Sequence, residues 1–164
     1  RSHYMEVSML PARLQMALDA AFQQSHTDFN KWLFIVHAQP ARLIEQAQAI
    51  QAAFGWPLLE LGKTIAPQIA PLTARIRTSK TQQLLTAALV PPRIPMICCD
   101  IDILFAPELA LDPLALFDRA SRRTSLVIMW PGSFVDGVLR YAVPEHEHSR
   151  IWQATISPER IFVL

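Results

Sequence analysis

Glycine is scarce: four residues in a chain of 164. That excludes a glycine-rich linker protein and leaves little for glycine-rich phosphate loops. Charge is scarce as well, 18% against 51% apolar residues, which excludes a disordered tail protein. The formal net charge is only +1, so no overall field draws the chain to nucleic acid or to an acidic membrane. No apolar run reaches the roughly 18–20 residues of a membrane span, because Arg93, Asp100, Asp102 and Glu108 interrupt the richest stretch. Cysteine is limited to Cys98 and Cys99. Neighbours on a strand point to opposite faces, so the two are poorly placed to bridge. They read as small buried hydrophobes of a reduced, cytoplasmic protein.

What is present suits one domain, since about 100–150 residues is the commonest domain size. Residues 1–5 read as a tag remnant ahead of a start methionine, which leaves 6–164 as the folded unit. The apolar content is high for a small lone domain and favours a partner surface or self-association.

Helical spacing over 7–25 places Leu10, Leu14, Leu18 and Phe22 on one face. Lys31–His37 is a short β-branched and aromatic run, hence a buried strand. A helix follows over Pro40–Phe54, closed by Gly55. Trp56–Leu61 reads as a second strand. Residues 62–78 read as helix interrupted by Pro67 and Pro71, and Ser79 opens a further helix to Leu89. Ile94–Ile101 is apolar enough for a central strand covered on both faces. Asp112-Pro113 supplies an N-cap and a first-turn proline for a helix to Ser121. Thr124–Trp130 is a fourth strand, and Pro131-Gly132 and Asp136-Gly137 mark turns. Val138–Val143, Ile151–Ile156 and Arg160–Val163 are short late strands, some of them antiparallel at an edge. Alternating strands and helices predict an α/β fold, a mostly parallel sheet between helical layers.

Five places invite chemistry. His37-Ala-Gln-Pro-Ala-Arg-Leu43 lies where a strand meets a helix, the usual seat of a phosphate. It has none of the glycine, lysine or Ser/Thr of G-x-x-x-x-G-K-[ST], and Pro40 removes an amide donor. His37, Gln39 and Arg42 are what remains there to meet an anion. Gly62-Lys63-Thr64 copies the end of that motif, but Pro57 stands where its first glycine belongs. Asp100, after four apolar residues, has the position of a carboxylate that holds Mg²⁺ beside a nucleotide. Asp102, two residues on, faces the same side if the strand continues. An N-cap or ion-pair role explains either carboxylate equally well. Arg119, Arg122 and Arg123 at a helix end, and Arg75, Arg77 and Lys80 before them, could touch nucleic-acid phosphates; a solvated surface or the helix dipole accounts for them too. Glu145-His-Glu-His148 offers two imidazoles but no third ligand, so no metal is expected. Trp32, Trp56, Trp130 and Trp152 are scattered and read as core or interface.

From Asp100 onward the sequence becomes specific. Asp100-Ile-Asp-Ile-Leu-Phe-Ala-Pro-Glu-Leu109, Leu111-Asp-Pro-Leu-Ala-Leu-Phe117, Ala120-Ser-Arg-Arg123, Trp130-Pro-Gly132, Asp136-Gly-Val-Leu-Arg-Tyr-Ala142 and Pro144-Glu-His146 follow in this order. The series resembles the BrxF family, the small P-loop-type proteins of type-three BREX bacteriophage-exclusion systems, over about residues 30–164. The resemblance implies a three-layer P-loop NTPase-like domain, with strand 31–37 feeding the phosphate loop and Asp100 ending the Walker B strand. Members of the family carry a glycine-rich loop with Lys-Ser/Thr, and this chain departs from them there. The expectation is a non-catalytic scaffold or regulatory subunit of a bacterial antiphage complex. Its partners would be other defence proteins, with DNA reached indirectly, and no cofactor is expected. The rivals are an unorthodox Mg-ATP-dependent NTPase built on Arg42 and Asp100, and a DNA-binding accessory protein.

Overall fold

The computed structural model describes residues 10–23, 31–89, 94–142 and 152–164. Strands β1 (Trp32–His37), β2 (Leu58–Glu60), β3 (Met96–Cys99), β4 (Leu126–Val135) and β7 (Ile161–Val163) form a parallel sheet in the order β2-β3-β4-β1-β7. The far half of β4 leaves that sheet and pairs antiparallel with β5 (Val138–Tyr141), which pairs antiparallel with β6 (Trp152–Thr155).

The alternation of side chains along each strand divides the core in two. On one face, Leu33, Ile35, Ile97, Cys99, Val127 and Met129 pack with α1 (Ala12–Gln23) and α2 (Pro40–Phe54). On the other, Trp32, Phe34, Val36, Cys98, Ile128 and Trp130 pack with α3 (Leu61–Ile69), α4 (Ala74–Ala88) and α5 (Pro113–Ser121). Because both faces are covered, β1, β3 and the first part of β4 read as unbroken apolar runs. The architecture is three-layered α/β, as the alternation of elements predicts.

Several boundaries differ from the sequence reading, each for a local reason. α4 starts at Ala74, not Ser79. Its first turns are polar and only Thr81 and Leu85 along it are buried, so its apolar stripe is faint. β3 stops at Cys99 because Asp100 turns into the left-handed region at φ 54°. β4 runs straight through Pro131-Gly132, which is strand and not turn. Pro131 stands at the last β1–β4 pair, where a missing amide is tolerated. Gly132 is required by space: a Cβ there would lie 1.8 Å from the Arg140 carbonyl oxygen across the hairpin. That same carbonyl accepts a hydrogen bond from Trp130 Nε1 at 3.1 Å.

The sheet extension is held by aromatic rings. Tyr141 on β5 stacks on Phe105, which lies in a 3-10 turn after β3, with centroids 3.7 Å apart and planes 5° from parallel. Trp130 meets Phe105 edge-on at 5.2 Å and Trp152 at 5.5 Å. Such pairs add about 0.5–1.5 kcal/mol each beyond the area they bury. Of the four tryptophans, Trp130 is fully buried and Trp32 nearly so, in keeping with a core role.

Candidate functional site

β1 and β4 are neighbours, but their chains leave in opposite directions. From β1 the chain passes through α2 to β2 at one edge, while from β4 it passes through β5 and β6 to β7 beyond β1. In an open α/β sheet a crevice forms outside the carboxyl ends of strands at such a reversal. A cavity of about 260 Å³ lies there, between α2 and the ends of β2, β3 and β4. Leu43 and Ala47 from α2, with Leu58, Cys99 and Met129 from the strands, give it apolar walls. Glu60, Lys63, Asp100 and Asp102 form its polar side.

The loop from β1 into α2 borders the cavity through Pro40. His37 Nδ1 accepts the backbone N–H of Gln39 at 2.9 Å, and Pro40 has no N–H to give. The Arg42 amide donates to the Gln39 carbonyl at 3.1 Å. At this helix start the Gln39 and Arg42 amides are thus committed, and Pro40 has none. Arg42 and Gln39 are exposed and His37 is half-buried, and backbone groups of Gln39 join the other two.

Asp100 is engaged with α3. Its carboxylate accepts the Lys63 N–H at 3.0 Å, and its main-chain carbonyl accepts the Gly62 N–H at 2.9 Å. α3 needs this, because its own N-cap position, Glu60, makes no side-chain cap. Partial burial holds the Asp100 carboxyl above the usual carboxylate range; the Lys63 amide opposes the shift, and the charges of Asp102 and Glu60 add to it. Gly62-Lys63-Thr64 is therefore a helix start fitted against Asp100. Lys63 Nζ pairs with Glu60 at 2.7 Å, and both side chains are well exposed.

Asp102 lies on the same cavity as Asp100, although strand alternation does not put it there. It begins the 3-10 turn Asp102–Phe105 and accepts the Tyr141 O–H on Oδ1 at 2.6 Å. Burial first, and then the Asp102 hydrogen bond and charge, raise the Tyr141 phenol well above its ordinary value. The sequence reasoning missed both partnerships. A helix beginning Glu60-Leu-Gly-Lys with no Ser, Thr, Asp or Asn was the available sign that a distant acceptor must supply its cap.

The remaining candidates are dispersed. Arg77 Nε donates to the carbonyls of Ile69 and Leu72, at 3.1 and 2.9 Å, and a guanidinium nitrogen donates to Ala70 at 2.8 Å. It caps the end of α3. Arg122 pairs with Asp118 at 3.2 Å, and Arg119 and Arg123 are exposed. Cys98 and Cys99 are both free and buried, one in each core. Burial, with Glu60 and Asp100 nearby, pushes the Cys99 thiol up to about 11. Glu145-His-Glu-His148 and Pro91-Pro92 lie outside the described residues. Among the described residues no cluster of His, Cys, Asp and Glu could hold a metal ion, and no helix is long and apolar enough to cross a membrane.

Compared with models of protein families, with curated proteins and with solved structures, the chain matches none.

Proposed function

We propose that this chain is a P-loop-type α/β domain with a degenerate phosphate loop, serving as a non-catalytic scaffold or regulatory subunit of a BREX-type bacterial antiphage complex. The observation that carries the non-catalytic part is the His37–Gln39 contact. A phosphate loop works by presenting bare amides to phosphate at a helix start. Here one amide is spent on an imidazole, the next is missing at Pro40, and no lysine stands ready for the β/γ-phosphates. Asp100 is drawn upon in parallel, one of its carboxylate oxygens taking the Lys63 amide at the start of α3. The defence assignment rests on the ordered motifs from Asp100 to His146, and its partners would be larger proteins of the same system.

Titration of the full chain with Mg-ATP tests the first part. No saturable binding is expected up to about 1 mM, whereas a Kd tighter than about 100 μM would support the NTPase rival. Affinity capture from the native bacterial host tests the second, with other defence proteins expected to co-elute. A stably folded Asp100→Asn protein should retain phage exclusion, and complete loss would count against the scaffold reading. Arg77 and Arg122 are engaged within the fold, which weighs against a direct nucleic-acid role for these two. No retardation of DNA is expected in a gel at low salt.

A further inference from the structure

The cavity at the sheet reversal is apolar in its walls and acidic on one side. Glu60 and Lys63 neutralise each other there, at 2.7 Å. Asp100 and Asp102 have no cationic side chain within ion-pair distance among the described residues. Each spends one carboxylate oxygen on a donor, Asp100 Oδ2 on the Lys63 amide and Asp102 Oδ1 on Tyr141. Among the described residues, one oxygen of each carboxylate is left. We propose that this cavity binds a small organic cation with an apolar body: its ammonium group at Asp100 and Asp102, and its body against Leu43, Ala47, Leu58 and Met129.

Three properties of the cavity select this ligand class. The first is size. A cavity of about 150 Å³ holds a benzene ring. The volume here, about 260 Å³, suits one or two rings. The second is charge. A cation relieves the repulsion between two carboxylates on one cavity, and an anion meets both of them with the Gln39 amide already spent on His37. The third is coordination. Two leftover oxygens beside an apolar wall satisfy an ammonium, with its three donors, far better than Mg²⁺, which demands six ligands in near-octahedral array. This inference is independent of the defence reading: a failed capture experiment leaves it standing, and a failed amine titration leaves that reading standing.

The test is calorimetric titration of the full chain with tryptamine, with its neutral counterpart tryptophol and with the anion indole-3-acetate. Tryptamine should bind saturably with a Kd below about 1 mM, and at least about tenfold more tightly than tryptophol. Indole-3-acetate should not bind. Two variants locate the site. Ile44→Lys changes a cavity residue that is 48% exposed, so it spares the core while setting a rival ammonium there. Asp102→Asn removes a charge but keeps an acceptor for Tyr141. Each should weaken tryptamine by about fivefold or more, with the effect shrinking at high salt. The proposal is overturned if tryptamine fails to saturate, if either counterpart binds as tightly, or if both variants bind tryptamine like the parent chain.

Discussion

Asp100 and Gly62 are fitted together so closely that one fixes the identity of the other. A Cβ at position 62 would lie 2.6 Å from Asp100 Oδ2, while the Gly62 amide donates to the Asp100 carbonyl at 2.9 Å. Gly62→Ala ought to gain helix propensity of about 1 kcal/mol. The clash should outweigh that gain, giving a net loss of about 1–2 kcal/mol in urea unfolding. Combined with Asp100→Ala the methyl has room, and the same substitution becomes neutral or stabilising. Additive effects in that double-mutant cycle would sink the account.

The titration of Asp100 has a definite sign. Its folded-state pKa is raised above the ordinary carboxylate value, chiefly by burial. The native state therefore holds the proton more firmly than the unfolded chain does. The corresponding stability is complete below the unfolded pKa and is lost as pH rises through the folded one. Asn tolerates the left-handed backbone and offers an amide oxygen to Lys63, but it does not titrate. Urea midpoints of the parent chain minus those of Asp100→Asn should fall as pH rises from about 4, then level off. A difference that grows with pH would show that the Lys63 amide, not burial, governs this carboxyl.

Tyr141 joins the sheet extension to the crevice. Tyr141→Phe keeps the stack on Phe105 and removes only the 2.6 Å bond to Asp102. The expected cost is about 1–2 kcal/mol, near the lower end for a hydrogen bond to a charged group, because Asp102 is half-exposed and water can replace the phenol. The phenol's own pKa is raised in the fold, so its contribution is complete below the unfolded value of about 10 and is lost progressively as pH rises from there through the folded one. A difference absorbance titration against Tyr141→Phe should show no tyrosinate from Tyr141 at about pH 10 while the chain stays folded.

The layered fold was legible because β1, β3 and the core of β4 are covered on both faces, so composition alone marks them. α2 and α5 were legible to the residue, since Pro40, Gly55 and Asp112-Pro113 are local punctuation that acts through backbone geometry. α4 was not, because its first turns carry Arg75, Arg77, Ser79 and Lys80 and its fit depends on the end of α3. The crevice was half legible. Asp100 announced itself after an apolar strand, but its partner is 37 residues away in sequence. The Asp102–Tyr141 bond spans 39. Neither distance leaves a periodic trace in the chain.

Arg77 and Arg119 look alike in the sequence and differ in the fold. α3 ends at Ile69, two residues before Pro71, and the chain's own continuation gives the Ile69 carbonyl one donor, the Leu72 amide at 3.0 Å. Arg77 adds to it and reaches further, bonding the Ile69, Ala70 and Leu72 carbonyls from one guanidinium at 2.8–3.1 Å. Removing it takes this donor from the Ala70 and Leu72 carbonyls together, so Arg77→Ala should cost about 1–3 kcal/mol in chemical denaturation. Arg77→Lys should recover only part of this, since one ammonium cannot reproduce the planar fork. Arg119, exposed on α5, should change stability by less than about 0.5 kcal/mol when truncated to alanine. Equal losses at the two positions would mean that the end of α3 is satisfied by water and that Arg77 is no more than a surface charge.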